Sequence, residues 1–301
     1  MSKIMKISML IASLLILVGV ITFTAAMSVY GWDFMKLSTV KYEDNTYIFE
    51  ESIEKISLTS DTTDIKILRS TDGKTKIVTH LPKAENHTVT LSEGTLVLEQ
   101  KTDFSWKMLI GIDFNRPKIT VYLPDEKYES LNIKSHTSDI RIAEGFSFDT
   151  VSVKLTTGDV HVKSVTADNI QITTTTGDIK LINAECAENI KAKVSTGDIE
   201  LTNVTCKDLI VNGDTGDVEL KNVIASGKFD IETDTGDVEL NSCDASEIFI
   251  ETDTGDVEGT LLTEKVFIAR TDTGDINVPK TTTGGKCEIK TDTGDIKIKI
   301  K

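Results

Sequence analysis

A four-residue motif recurs along the second half of the chain at a nearly constant spacing. Thr-Gly-Asp followed by Val or Ile occurs eight times, and successive copies are 19 or 20 residues apart. The motif glycines are Gly158, Gly177, Gly197, Gly216, Gly236, Gly255, Gly274 and Gly294. A degenerate copy begins at Thr137, and a remoter one begins at Thr62. A fixed period of this length is the signature of a repeat protein, in which each unit contacts only its neighbours.

Apolar residues alternate on both sides of each motif. They stand two and four residues after the glycine, as at Val160 and Val162, and seven and five residues before it, as at Val151 and Val153. A period of two predicts strands. The column seven residues before the glycine continues to Phe267 and Cys287, and the column seven residues after it contains Val165, Ala184, Val204, Val223, Cys243 and Leu262.

No single repeat can bury its own apolar side, but stacked repeats can. We therefore predict an all-β fold, a β-solenoid (parallel β-helix) in which each repeat forms one coil and neighbouring coils lie about 4.8 Å apart. The eight glycines would serve as structural turns because glycine tolerates positive φ, and the following Asp carboxylate would accept backbone N–H groups. The alternative is an antiparallel meander with a hairpin at each Thr-Gly.

The chain ends with alternating isoleucine and lysine from Ile296 to Lys301. The isoleucines would continue the inward column. Outward lysines discourage another strand from pairing with an exposed edge. We therefore expect this segment to form the last coil and to protect its open edge.

The N-terminus carries an apolar segment. Residues 7–32 contain no charged side chain, and Lys3 and Lys6 precede them. About 20 helical residues cross a bilayer core, and flanking positive charge stays on the cytoplasmic side. We expect a single-pass membrane protein with a cytoplasmic N-terminus and an extracytoplasmic remainder. The alternative is a cleaved signal peptide, with Thr24 and Ala26 as the small residues before the cut.

These features divide the chain into four parts. Residues 1–32 form the transmembrane anchor or signal peptide, and residues 33–45 form a linker. Residues 46–136 form a β region that caps the solenoid, and residues 137–301 form the regular solenoid. An apolar cluster at 104–114 would cover the open end of the core, or alternatively form a binding or membrane-touching loop.

Charge is distributed unevenly. The 301 residues carry a formal net charge of −15, and residues 151–301 contain 28 acidic and 16 basic side chains, a net charge of −12. An acidic chain repels phosphate backbones, so we expect no nucleic-acid partner.

Later motifs extend to Asp-Thr-Gly-Asp. Asp-Thr-Gly is also found in aspartic proteases, but those enzymes need two carboxylates that meet at one cleft, which five stacked copies cannot provide. Stacking would instead form a possible cation row, and Ca²⁺ prefers such oxygen ligands. The row consists of Asp217, Asp237, Asp256, Asp275 and Asp295, with Asp214, Asp234, Asp253, Asp272 and Asp292 beside it. Threonine hydroxyls or solvent could equally satisfy these carboxylates, so we assign no cofactor.

Catalytic groups are sparse. All four cysteines occupy apolar or small-residue columns, and Cys186 and Cys206 share one column, where they are either free buried thiols or a disulfide. The histidines, His80, His87, His136 and His161, are scattered without metal spacing. No catalytic residues are assigned, and we expect a non-enzymatic protein.

Several segments together resemble a known family. These are the N-terminal apolar segment, Ile56-Ser57-Leu58 with Asp64-Ile65-Lys66-Ile67, the strand from Ile119 to Pro124, and the Thr-Ser/Gly-Asp-Ile repeat. The chain is similar to bacterial adhesin-type β-strand repeat proteins of the cell envelope, a family of unknown function that includes the Lia G type membrane-anchored proteins. The resemblance implies a β-solenoid on the wall side of the membrane, no catalytic residues, and for some relatives an association with envelope stress.

Three functions follow from these observations. The first is a membrane-anchored surface or scaffold protein whose Thr, Asp, Glu and Lys ladders bind an envelope protein or a glycan. The second is a carbohydrate-active enzyme, which would need a long insertion in one coil, and none is present. The third is a rod that depends on Ca²⁺.

Overall fold

A computed structural model describes residues 3–33, 38, 40–83, 85–101 and 115–301. It contains one helix, α1 (Lys3–Val29), and 24 strands that join in one sheet. The strands are β1 (Tyr42–Phe49), β2 (Lys55–Thr59), β3 (Asp64–Arg69), β4 (Thr75–Pro82), β5 (Asn86–Ser92), β6 (Thr95–Lys101), β7 (Lys118–Leu123), β8 (Lys127–Thr137), β9 (Ile140–Ile142), β10 (Phe146–Thr157), β11 (Val160–Lys163), β12 (Val165–Thr176), β13 (Ile179–Ile182), β14 (Glu185–Cys186), β15 (Asn189–Thr196), β16 (Ile199–Cys206), β17 (Asp208–Thr215), β18 (Val218–Thr235), β19 (Val238–Thr254), β20 (Val257–Leu261), β21 (Lys265–Thr273), β22 (Ile276–Asn277), β23 (Gly285–Thr293) and β24 (Ile296–Ile300).

Equivalent strands of successive repeats pair in parallel. Ile190 lies opposite Leu209, which lies opposite Phe229, and Ile199 lies opposite Val218. The fold is therefore the predicted β-solenoid, with about nine turns. The antiparallel meander is excluded for the repeat region, because every pairing within residues 127–301 is parallel.

The core is one narrow column along the solenoid axis. The alternating residues point inward, and the side chains of Val218, Leu220 and Val223 have at most 1% of their area exposed. Each coil contributes only a few apolar side chains of small or medium size, so a large core is built with few aromatics. Burial of a Val or Leu side chain stabilises the fold by roughly 1.5–3 kcal/mol.

The C-terminal coil is not the last coil in space, which corrects the sequence prediction. Strand β23 pairs with β19 on one side and β21 on the other, and β24 lies between β20 and β22. Ile296 and Ile298 are buried inside the stack, and the outer edge belongs to β21 and β22. Pro279 follows the two-residue strand β22 and cannot donate to a sheet ladder, which suits that coil to an edge.

Leu262 was also predicted to face inward and does not. Its side chain is 39% exposed, while Leu261 is fully buried. The pairing of β19 with β20 skips one residue, so that Cys243 lies opposite Leu261. This coil has one residue fewer at its corner. The position seven residues after the glycine therefore no longer faces the core. Phe267 and Ala269 are only partly buried, because their coil is the outermost one.

The coil that comes first in the chain also lies between two later coils, at the N-terminal end of the solenoid. Strand β2 lies between β6 and β8, and β3 lies between β7 and β9. Antiparallel strands β1, β4 and β5 flank this end. Glu93 and Gly94 form the turn between β5 and β6, with φ of 50° and 70°. The apolar cluster at 104–114 lies outside the described residues, so its capping role stays a prediction. The predicted division of the chain into four parts also stays a prediction.

Candidate interaction surface

The repeated turns are packed against one another more closely than side chains allow. All eight motif glycines have φ between 127° and 159°. A Cβ on Gly216 would lie 2.0 Å from the carbonyl oxygen of Gly197, and one on Gly236 would lie 2.0 Å from that of Gly216. Only glycine combines this backbone conformation with this approach. The turns therefore stack in a fixed register, which positions the residues on either side.

The threonine before each glycine forms a continuous row. Thr196 lies opposite Thr176 and Thr215, and the pairing continues along the solenoid to its outer edge. The row contains Thr137, Thr157, Thr176, Thr196, Thr215, Thr235, Thr254, Thr293 and Thr273 in spatial order. The eight of these that belong to complete motifs are exposed. Hydroxyl groups thus recur about every 4.8 Å.

The aspartate after each glycine joins one coil to the next. Oδ1 of Asp198 accepts a hydrogen bond from the backbone N–H of Asp217 at 2.8 Å, and Oδ1 of Asp217 accepts one from Asp237 at 2.9 Å. The same bond recurs from Asp64 to the outermost coil at Asp275. The sequence predicted that these carboxylates would accept backbone N–H groups of their own turn. In the structure they accept the N–H of the neighbouring coil.

A second acidic column lies on the other side of the threonines. Asp214, Asp234, Asp253, Asp272 and Asp292 are all exposed. We call the exposed threonine row and its two flanking aspartate columns the turn ridge. It is continuous because the register between coils does not shift at the turns. It carries both aspartate columns from Asp214 onward.

The predicted cation row lies on the turn ridge. Each of its five carboxylates is placed one coil from the next, and Oδ1 of Asp217, Asp237, Asp256 and Asp295 already accepts an N–H. The N–H of Asp275 and the ammonium of Lys297 lower the pKa of Asp295. Within the described residues, no group of three or more His, Cys, Asp or Glu side chains is arranged to hold a metal ion. Cation binding stays a prediction.

The strand faces beside the ridge carry paired charges between coils. Lys180 contacts Glu200, and Lys290 Nζ lies 2.6 Å from Glu251. At a corner between strands, Lys207 Nζ lies 2.8 Å from Glu188. All of these side chains are at least one-third exposed. Exposed pairs of this kind contribute little to stability, about 0–1 kcal/mol each. They remain available to a partner that approaches the flank.

A third ladder was missed by the sequence analysis. Asn183, Asn203 and Asn222 adopt φ of 53°, 54° and 52°. The amides of Asn203 and Asn222 each donate to the preceding asparagine at 2.9 Å. Asparagine tolerates this left-handed conformation better than most residues. The signal was present, because an asparagine stands six residues after three successive motif glycines. This ladder forms the second corner of the coils.

The cysteines and histidines form no catalytic arrangement among the described residues. All four cysteines are free and buried, and burial raises the pKa of Cys206 and of Cys287 to about 12. Burial and the nearby cations Lys180 and Arg141 lower the pKa of His161. A thiol that stays protonated is a poor nucleophile.

Helix α1 is long and apolar enough to cross a membrane. It has 27 residues and a mean hydropathy of 2.5 over its most apolar window, and none of that window is buried against the rest of the chain. A signal sequence near the N-terminus would have the same properties. The helix is thus a candidate membrane span or signal sequence.

Comparison with known proteins gives a family match and several similar structures. The family model described as Toastrack DUF4097 matches residues 53–203 and 183–301. A "putative adhesin" from Parabacteroides distasonis has a TM-score of 0.52 and 9% identity, over 86% of this chain and 98% of that one. A "putative adhesin" from Bacteroides fragilis has a TM-score of 0.47 and 17% identity, over 85% of this chain and 97% of that one. No curated protein matches.

Proposed function

Because this chain belongs to the Toastrack DUF4097 family, whose match extends from residue 53 to residue 301, we propose a non-enzymatic adhesion or scaffold protein. Its solenoid stands on the extracytoplasmic side of the membrane and binds an envelope protein or a glycan through the turn ridge and the adjoining flank. The observation that carries this proposal is the unbroken in-register row of exposed threonines between aspartates. Adhesion is also the role named for the Parabacteroides distasonis structure, whose likeness establishes the fold.

The chemistry of the turn ridge selects the class of partner. Hydroxyl and carboxylate groups at a regular spacing can bond repeatedly to sugar hydroxyls, amides or cationic side chains along an extended molecule. Repetition raises the overall affinity without any strong single contact. The net charge of −12 over residues 151–301 repels polyanions. A neutral or cationic glycan, or a protein with a basic surface, therefore fits best.

Helix α1 supplies the attachment in this proposal. Lys3 and Lys6 at its start keep the N-terminus in the cytoplasm, so residues from about 33 onward are outside. A cleaved signal peptide would release the same solenoid without an anchor. Both versions place the turn ridge outside the cytoplasm, and they differ in whether the mature protein sediments with membranes.

Recovery of partners from envelope extracts tests the proposal. Full-length protein in nanodiscs is compared with a ridge variant, Thr196→Ala, Thr215→Ala and Thr235→Ala, and with a control variant, Thr166→Ala and Thr205→Ala. The control residues are exposed and lie on other coil segments. The ridge variant should lose the partners and the control should keep them, with melting temperatures unchanged. Identical recoveries from all three proteins contradict recognition by the ridge.

A rod that depends on Ca²⁺ remains the second candidate, favoured by the stacked carboxylates of the predicted cation row. Calorimetry with and without chelator separates it from the first. Heat of binding, together with a rise in melting temperature at millimolar Ca²⁺, supports it. The absence of both leaves the adhesion proposal without a cation requirement.

A further inference from the structure

The outer end of the solenoid exposes an unpaired strand. Strand β21 pairs with β23 on one side, and no strand of the described residues pairs with its other side. Phe267 and Ala269 point toward the core but are only partly buried, because no further coil lies over them. This end therefore presents both free backbone groups and the end of the apolar column.

The outward side of β21 is also apolar, unlike the other repeats. Val266 is 38% exposed and Ile268 is 50% exposed. They stand eight and six residues before Gly274, and in each of the other seven repeats at least one of these two positions is polar. Natural sheets usually protect an edge with charged residues at such positions. Here the outermost repeat is the one that lacks them.

Charged residues flank this apolar pair symmetrically. Glu264 precedes it and accepts a hydrogen bond from Thr283 Oγ1 at 2.5 Å. Arg270 follows it, with its side chain 72% exposed and 3.3 Å from Asp272. Residues 266, 268 and 270 lie on one side of β21, because successive residues alternate between its two sides. Glu264 directly precedes the strand and is exposed as they are.

We propose that the partner of this edge is β21 of a second copy of the chain, paired antiparallel about a two-fold axis at Phe267. In this register Glu264 lies opposite Arg270 of the partner, and Val266 lies opposite its Ile268, each contact occurring twice. On the inner side the two Phe267 rings meet and close both apolar columns. The outward side and the inward side of β21 are therefore each complementary to the same side of a second copy.

Neighbouring registers lose this match. A shift that pairs odd with even positions would place the inward Phe267 opposite an outward residue. Moving the axis by one residue to Ile268 places Glu264 opposite Asp272, which is repulsive, and Val266 opposite Arg270. The two-fold register at Phe267 pairs opposite charges and apolar side chains at once.

The dimer would be closed and joined end to end. An isologous contact uses the same patch on both copies and stops at two. Helix α1 connects to the opposite end of the solenoid through β1, so the two N-terminal helices would lie at the far ends of a rod of double length. Copies in two facing membranes could pair in this way.

Charge reversal tests the pairing directly. Full-length protein is reconstituted with one copy per nanodisc, and the fraction of disc pairs is measured by sedimentation-velocity ultracentrifugation at protein concentrations up to tens of micromolar. We expect Arg270→Glu and Glu264→Arg each to weaken dimerisation at least about tenfold, because two opposite-charge contacts become like-charge contacts. The double variant with both substitutions should restore it.

Lys207→Glu is the matched control, since Lys207 is exposed and pairs with Glu188 several coils away from β21. It should leave dimerisation unchanged, and all variants should keep the wild-type melting temperature. A wild-type protein that stays monomeric at tens of micromolar, or a double variant no better than the single ones, overturns the proposal. Open-ended chains of discs would indicate head-to-tail stacking and would overturn it as well.

Discussion

At Gly216 one hydrogen atom is all that the stacked turns can accommodate. A Cβ there would meet the Gly197 carbonyl oxygen at 2.0 Å, and the backbone has φ of 137°. We expect Gly216→Ala to lower the free energy of unfolding by at least about 2 kcal/mol, because strain and displacement of the neighbouring coil add.

Gly73→Ala is the control for that measurement. Gly73 has φ of 72°, but a Cβ added to it would meet nothing within 4 Å, so this change should cost about 1 kcal/mol from backbone strain alone. Denaturant melts of the two variants give the comparison. Equal losses would show that the close approach between turns is not a constraint.

The buried cysteines lead to a second prediction at the residue scale. Burial raises the pKa of Cys206 to about 12 and that of Cys243 to about 11. Few thiolates exist at pH 8, and reagents cannot reach them. An alkylating reagent should therefore leave all four thiols unmodified in the folded protein and react with four in denaturant. Fewer than four after denaturation would point to a disulfide between Cys186 and Cys206.

At the scale of elements, one carboxylate of the aspartate ladder, that of Asp295, makes stability depend on pH. The Asp275 N–H and Lys297 lower the pKa of Asp295 in the folded state. A lowered folded-state pKa means that the carboxylate stabilises the fold above its unfolded pKa of about 4. That contribution is lost as the pH falls through the lower folded value. The melting temperature should fall below about pH 4, and less steeply in Asp295→Asn, whose amide oxygen still accepts the N–H. Parallel curves would contradict this role.

The strands and their parallel pairing were predictable because the repeat spacing hardly varies. A coil must return to the same place each time, and eight glycines separated by 19 or 20 residues leave little freedom. The threonine and aspartate rows of the turn ridge follow from that register. The aspartate bonds between coils did not follow, because a pattern along the chain does not show which N–H faces a carboxylate. The asparagine ladder was visible as a fixed offset and was overlooked.

At the scale of the whole molecule, the order of the coils could not be predicted from the order of the repeats. The repeat motif is the same in the last two coils, so it does not determine which lies outside. Pro279 and Gly259 are the local differences. Proline shortens the strand at the edge, and Gly259 lies opposite Ile298 where earlier coils have Leu or Val. The last coil of the chain lies inside the preceding one, so Val266 and Ile268 are at the outer edge. The dimer proposal depends on this order of the coils.

Labelling from outside intact cells tests most directly that the solenoid is anchored and extracytoplasmic. Thr215→Cys places a thiol on the exposed turn ridge, and Ser2→Cys places one before the helix, while the four native cysteines are buried. A membrane-impermeant maleimide should label the Thr215→Cys protein in intact cells, in the membrane fraction, and the Ser2→Cys protein only after permeabilisation. Protection of Thr215→Cys until the membrane is opened would contradict the account.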